Sequence, residues 1–114
     1  MSISFSDVGE NLRRIVITGR LDIPGTDSIA AKFEALAAEP KKAVVVNLSS
    51  LSFLASIGIR SLIVSAKAVQ KRGGKMVLVV GDNSTVMMSL EATGVDDLIP
   101  MFKNEAEAER AAVA

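Results

Sequence analysis

Residues 43–80 read AVVVNLSSLSFLASIGIRSLIVSAKAVQKRGGKMVLVV. Two apolar runs bracket this stretch, Ala43 to Val46 and Met76 to Val80, and neither alternates with polar residues. A strand that is hydrophobic at every position is covered on both faces, as in a parallel sheet under crossover helices. Between the runs a helix opens at Ser56, with Ile59, Leu62, Ile63, Ala66 and Val69 as its buried stripe. Lys71 and Arg72 oppose the dipole in its last turn, and Gly73-Gly74 stops it. The stretch is a β–α–β unit. Asn47 to Ala55, rich in Ser and holding Leu51, Phe53 and Leu54, reads as its connecting loop.

Upstream, Ser2 to Ser6 alternates polar and apolar, and Leu12 to Thr18 carries the β-branched run Ile15-Val16-Ile17. The short polar turn between them (Asp7, Gly9, Glu10, Asn11) makes an antiparallel hairpin. Gly19 to Gly25 reads as a loop broken by Pro24-Gly25. A helix capped by Thr26 or Asp27 follows, buries Ile29, Phe33 and Leu36, and ends at Pro40. Downstream, Asn83 or Ser84 caps a helix carrying Val86, Met87 and Leu90, with Gly94 beyond its end. Leu98 to Phe102 reads as a last strand. Asn104, with Glu107 three residues on, opens a final helix whose Ala/Glu-rich tail is expected to fray. The order β-β-α-β-α-β-α-β-α predicts an α/β fold: a mixed sheet of about five strands, mostly parallel after the hairpin, packed with about four helices.

Residues 1–114 are expected to form a single domain, with 49% hydrophobic residues to build its core. Lys and Arg number 13, as do Asp and Glu, so there is no basic excess to grip nucleic acid. Cys is absent, which excludes disulfides, thiolate nucleophiles and zinc–thiolate sites. His is absent too, removing the commonest general base and metal ligand. Trp and Tyr are missing, so stacking platforms for single strands are not expected. No segment approaches the ~20 apolar residues that span a bilayer, and the amino terminus does not read as a signal peptide. The expectation is a cytoplasmic binding or switching module, with no cofactor and no catalysis of its own. Asp or Lys chemistry remains formally open.

The candidate sites are few. Gly73-Gly74 lies after a helix and before a strand, the reverse of a phosphate loop. Asp96-Asp97 are neighbours whose side chains diverge, which suits a solvated turn. Leu54-Ala55-Ser56-Ile57-Gly58-Ile59 has more to offer. Ser56 is either a simple helix cap or a functional hydroxyl at a strand's carboxyl end, where α/β sheets place their sites. Leu54 and Ile57 are expected to be exposed beside it, and Gly58 leaves room for another backbone.

These residues carry a family likeness. Phe53-Leu54-Ala55-Ser56-Ile57-Gly58-Ile59 resembles the phosphorylation motif of STAS domains, in particular the bacterial anti-sigma factor antagonists. Gly19-Arg20-Leu21-Asp22, Lys71-Arg72-Gly73-Gly74 and Thr93-Gly94-Val95-Asp96-Asp97-Leu98 resemble further motifs of that family, in the same order. The resemblance implies a partner-switching regulator. Its unphosphorylated form would bind a serine kinase that is also an anti-sigma factor, and phosphorylation of Ser56 would release it. A metal-dependent serine phosphatase would reset the switch. The docking surface would comprise Leu54, Ala55, Ile57, Gly58 and nearby residues of the helix, with Asp22 at the rim by the family match alone. On the helix, Ile57, Ser61, Val64 and Ala68 form a stripe offset from the buried face that either extends this surface, with Arg60 and Lys67 as charged rim contacts, or is partly buried under a neighbouring helix. Ser49, Ser50, Ser52 and Ser61 compete as acceptors. Nucleic acid and membrane are not expected partners, and the free chain is expected to be monomeric.

The sequence departs from the motif at two places. Ala55 stands where the family has Asp, and Ile57 where it has Ser or Thr. A variant subfamily with its own kinase and a binding-only domain both fit this. So do a STAS subunit of a transporter or sensory complex and a module binding nucleotide or another small ligand.

Overall fold

The computed structural model describes residues 2–38 and 43–114. The elements are β1 (Ser2–Val8), β2 (Leu12–Leu21), α1 (Ile23–Ala38), β3 (Ala43–Asn47), β4 (Leu51–Leu54), α2 (Ser56–Lys71), β5 (Lys75–Val79), α3 (Ser84–Ala92), a single 3₁₀ turn (Val95–Asp97), β6 (Met101–Phe102) and α4 (Glu105–Val113). The main sheet runs β1-β2-β3-β5-β6. Among the described residues only the β1–β2 hairpin is antiparallel; β2–β3, β3–β5 and β5–β6 are parallel.

The unbroken apolar runs are explained by burial on both faces. Val44, Val46, Met76, Leu78 and Val80 enter the larger core under α1, α2 and α3. Ala43, Val45, Val77 and Val79 face the other way, against Ala108 and Ala112 of α4. The carboxyl-terminal helix is therefore docked through Ala108 and Ala112. Arg14 binds Glu109 bidentately at 2.6 and 3.0 Å, and Asn47 Nδ2 donates to Glu105 Oε1 at 2.8 Å.

Three expectations change. The Ser-rich loop contains a sixth strand, β4, which pairs in parallel with the far end of β2 (Arg20 with Phe53, Leu21 with Leu54). β2 reaches that far because it continues through Gly19, at φ +98°, where the register shifts and the strand changes partners from β3 to β4. Helix α1 begins at Ile23, so Pro24-Gly25 lies inside its first turn; proline is tolerated there because its missing N–H has no helical partner to lose. The last strand shrinks to Met101–Phe102, because Leu98 N and Ile99 N both donate to Val95 O at 2.8 Å and are drawn into the 3₁₀ turn of Val95–Asp97. The proposed stop of α1 at Pro40 lies outside the described residues.

The α2 and α3 ends follow the sequence. Gly73, at φ +80°, closes α2, with Gly73 N donating to Gln70 O and Gly74 N to Val69 O, the paired bonds of a Schellman turn. Asn83 caps α3 through Val86 N, and Asn104 caps α4 through Glu107 N. Asn83 Nδ2 also donates to Ser49 O and Leu51 O, pinning the β3–β4 turn beside β5.

Candidate functional site

The site forms where β2 and β4 end side by side. Leu21 and Leu54 are register partners, and Ala55 N donates to Leu21 O at 2.9 Å, one residue beyond the pairing. Asp22 and Ser56 follow directly on either side of that bond. Helices α1 and α2 both start here, so two helix N-termini share one rim.

Ser56 is the first residue of α2, not its cap. The cap position belongs to Ala55, extended at φ −89° and ψ 167°, which has no polar side chain to offer. The first-turn amides of α2 therefore have no side-chain acceptor from their cap, and the turn holds no acidic residue. Ser56 is exposed, and its hydroxyl makes no hydrogen bond among the described residues. The competing hydroxyls are more engaged or less accessible. Ser49 Oγ donates to Asn47 Oδ1 at 2.6 Å, Ser52 Oγ donates to Gly19 O at 3.2 Å, and Ser61 is half-buried. Ser50 is exposed in the turn before β4.

Asp22 is the cap of α1, in place of the expected Thr26 or Asp27. Its Oδ1 accepts from Gly25 N at 2.9 Å, and its Oδ2 accepts from Arg20 Nε at 3.2 Å. The Gly25 amide, helped by the Arg20 guanidinium and partly opposed by desolvation, holds the Asp22 carboxyl below the usual aspartate range. Arg20 also lies over the Phe53 ring at 4.7 Å. This Arg20–Phe53 pair is an exposed part of the rim that the sequence reading passed over. It becomes visible only once β4 is paired with β2.

The expected docking residues divide into two groups. Leu54 is 3% exposed, so its anticipated exposure is corrected: it is a core residue. Gly58 is buried as well. A Cβ there would meet Leu21 Cβ and Leu54 Cδ1 at 3.0 Å and Leu21 O at 3.3 Å, so the backbone that needs the space is the chain's own. Ala55, Ile57 and Ser61 are half-buried, while Arg60 and Val64 are exposed. Ile57, Arg60, Ser61 and Val64 line one wall of a groove of about 240 Å³ between α2 and α1. Lys67 and Ala68 are exposed further along α2. Among the described residues no cluster suited to a metal ion occurs, and no helix is long and apolar enough to cross a membrane.

The family model of the STAS domain matches residues 8–108. The chain belongs to the STAS domain family. Solved STAS-type structures share its fold. An anti-sigma factor antagonist from Mycobacterium paratuberculosis superposes with a TM-score of 0.82 at 21% identity, covering 99% of this chain and 96% of that one. The anti-sigma factor antagonist SpoIIAA in its unphosphorylated form gives 0.79 at 18% identity, over 99% and 98%. The SulP transporter STAS domain from Vibrio cholerae gives 0.70 at 23% identity, over 95% and 85%. No curated protein matches. In this STAS domain the Phe53–Ile59 motif straddles the end of β4 and the first turn of α2, so its serine sits at the shared rim of two helices.

Proposed function

We propose that this STAS domain is an anti-sigma factor antagonist acting by partner switching. Unphosphorylated, it binds a serine kinase that is also an anti-sigma factor; phosphorylation of Ser56 ends that binding, and a metal-dependent serine phosphatase restores it. The reading takes residues 1–114 as one cytoplasmic domain, monomeric when free, that works by binding and not by catalysis. The observation that carries it is the Ser56 hydroxyl: exposed, unbonded and at the first residue of a helix whose cap has no side-chain acceptor. The fold shared with two anti-sigma factor antagonists supports it.

The physics of the switch follows from that position. A phosphate adds about −1.5 to −2 charges at neutral pH. Free amides and the helix dipole at the start of α2 tolerate an anion, so the fold survives the modification. A partner surface fitted to a neutral Ser56 flanked by Ala55 and Ile57 does not tolerate it, since burying an unpaired ion costs several kcal/mol after relaxation. Discrimination therefore needs no large movement of the chain.

The test is incubation with ATP and candidate serine kinases of the anti-sigma type, read by intact mass. Gain of one phosphate, located at Ser56 and abolished by Ser56→Ala, is the expected result. A chain that forms a stable complex but never gains phosphate supports a second reading, a permanently bound STAS subunit of a transporter or sensory complex. Ala55 in place of the motif's Asp and the likeness to the SulP domain favour that alternative.

A further inference from the structure

The groove between α1 and α2 has an uneven charge. Ala30, Ile57 and Val64 give it an apolar lining, and Val64 is 50% exposed. On the α1 wall stand two carboxylates, Asp27 and Glu34, seven residues and so about 10 Å apart along the helix. On the α2 wall stands the guanidinium of Arg60. All three charged side chains are exposed, and none has an ion-pair partner among the described residues. Thr26 also lines the groove; it is almost wholly buried, and its Oγ1 has no hydrogen-bond partner among the described residues.

We infer that this groove takes an amphipathic helix of the protein partner, with apolar residues along its centre, basic residues two turns apart facing α1, and an acidic residue facing Arg60. A helix is the fitting occupant. The groove lies between two helices whose backbone groups are satisfied internally away from their ends, so no sheet edge is offered for strand addition, and recognition falls to side chains. The charge pattern fixes the orientation, because reversing the visiting helix sets like charges against each other. The inference deepens the partner-switching reading and rests on it for the partner's identity. Ile57, the residue after Ser56, lines the groove, so a helix seated there lies against the first turn of α2.

The probe is a synthetic helical peptide of about 18 residues with a leucine stripe, two lysines seven apart on one flank and a glutamate on the other. A second peptide has those charges exchanged. Each is titrated into the full nitrogen-15-labelled chain, and amide shifts are followed by NMR. The first peptide is expected to move the resonances of Ala30, Ile57 and Val64 and to bind about tenfold or more tightly than the second. The double variant Asp27→Lys, Glu34→Lys, altered only at exposed positions, is expected to reverse that preference. Equal binding of the two peptides, shifts centred elsewhere, or no binding overturns the inference. None of these outcomes touches the phosphorylation of Ser56, which intact mass decides separately. Conversely, a chain that never gains phosphate but shows the charge-dependent shifts keeps the groove and loses the switch.

Discussion

Ala55→Asp supplies the side-chain acceptor that α2 lacks. The residue already has the extended backbone of a cap, and Ala55 O already accepts the first helical bond, from Ile59 N at 3.1 Å. An Asp carboxylate there can accept from the free amides of the first turn. Cap substitutions of this kind are worth about 1 kcal/mol, within a range of roughly 0.5 to 2. A negative charge at a helix start adds about 0.3 to 1 kcal/mol. The Asp22 carboxylate across the rim opposes the new charge, so the net gain is set at about 1 kcal/mol. With a urea slope of about 1 to 3 kcal/mol per molar, the unfolding midpoint should rise by about 0.5 M. The sign with pH follows from the same bonds. A carboxylate that accepts amide hydrogen bonds only when folded has its folded pKa depressed. The gain is therefore present above the ordinary aspartate range, around 4, and fades as pH falls through the folded value. Ala55→Asn keeps the acceptor without the charge, so its gain should be smaller and should not fade with acid. An unchanged or lowered midpoint for both variants would refute the account of an uncapped α2, and with it the electrostatic argument for tolerating phosphate at Ser56.

Three further outcomes follow from the same geometry. Gly58→Ala gains about 1 kcal/mol of helix propensity but forces a Cβ against Leu21 and Leu54, at a cost of about 1 to 3 kcal/mol. Urea unfolding should show a net loss of roughly 1 kcal/mol, and a stabilised variant contradicts the close approach of α2 to β2. Asp22→Asn should retain the cap of α1 and change stability little at neutral pH. The wild-type carboxyl is depressed mainly by the Gly25 amide, so its contribution is present above the ordinary aspartate range and lost as pH falls through the folded value; the variant's acid limb should be flatter, and identical pH profiles contradict this. Asn83→Ala removes the α3 cap and the two bonds to Ser49 O and Leu51 O, and should cost about 2 to 3 kcal/mol by urea unfolding, whereas a loss below about 0.5 kcal/mol shows those bonds to be idle.

The sequence made the sheet's centre legible because two strands buried on both faces leave an unmistakable pattern, and α2 because its stripe, basic end and glycine stop agree. β4 escaped because Leu51-Ser52-Phe53-Leu54 is short and interrupted by serine. Its pairing depends on Gly19 carrying β2 past β3, a tertiary fact with no local mark. The start of α1 was misplaced because Pro24-Gly25 looks like a break, although proline fits a first turn. At the site, Ser56 was located correctly as the opening of α2, but its relation to the cap was not. Whether a serine stands at the cap or one residue inside turns on a single backbone angle at Ala55. The exposure expected for Leu54 failed for a related reason: pairing with Leu21 turns it inward, and Phe53 outward beneath Arg20. The groove could not be read at all, since Asp27 and Arg60 are brought together only by the packing of α1 on α2.

The most direct measurement is the affinity of the proposed partner, a serine kinase of the anti-sigma type, for this chain before and after complete phosphorylation at Ser56, by calorimetry at fixed ionic strength. Carrying a partner from almost fully bound to almost fully free takes a difference near 10⁴-fold, about 5.5 kcal/mol. The account predicts weakening of about that size, with the fold of the phosphorylated chain intact by NMR. Equal affinity of the two forms contradicts it.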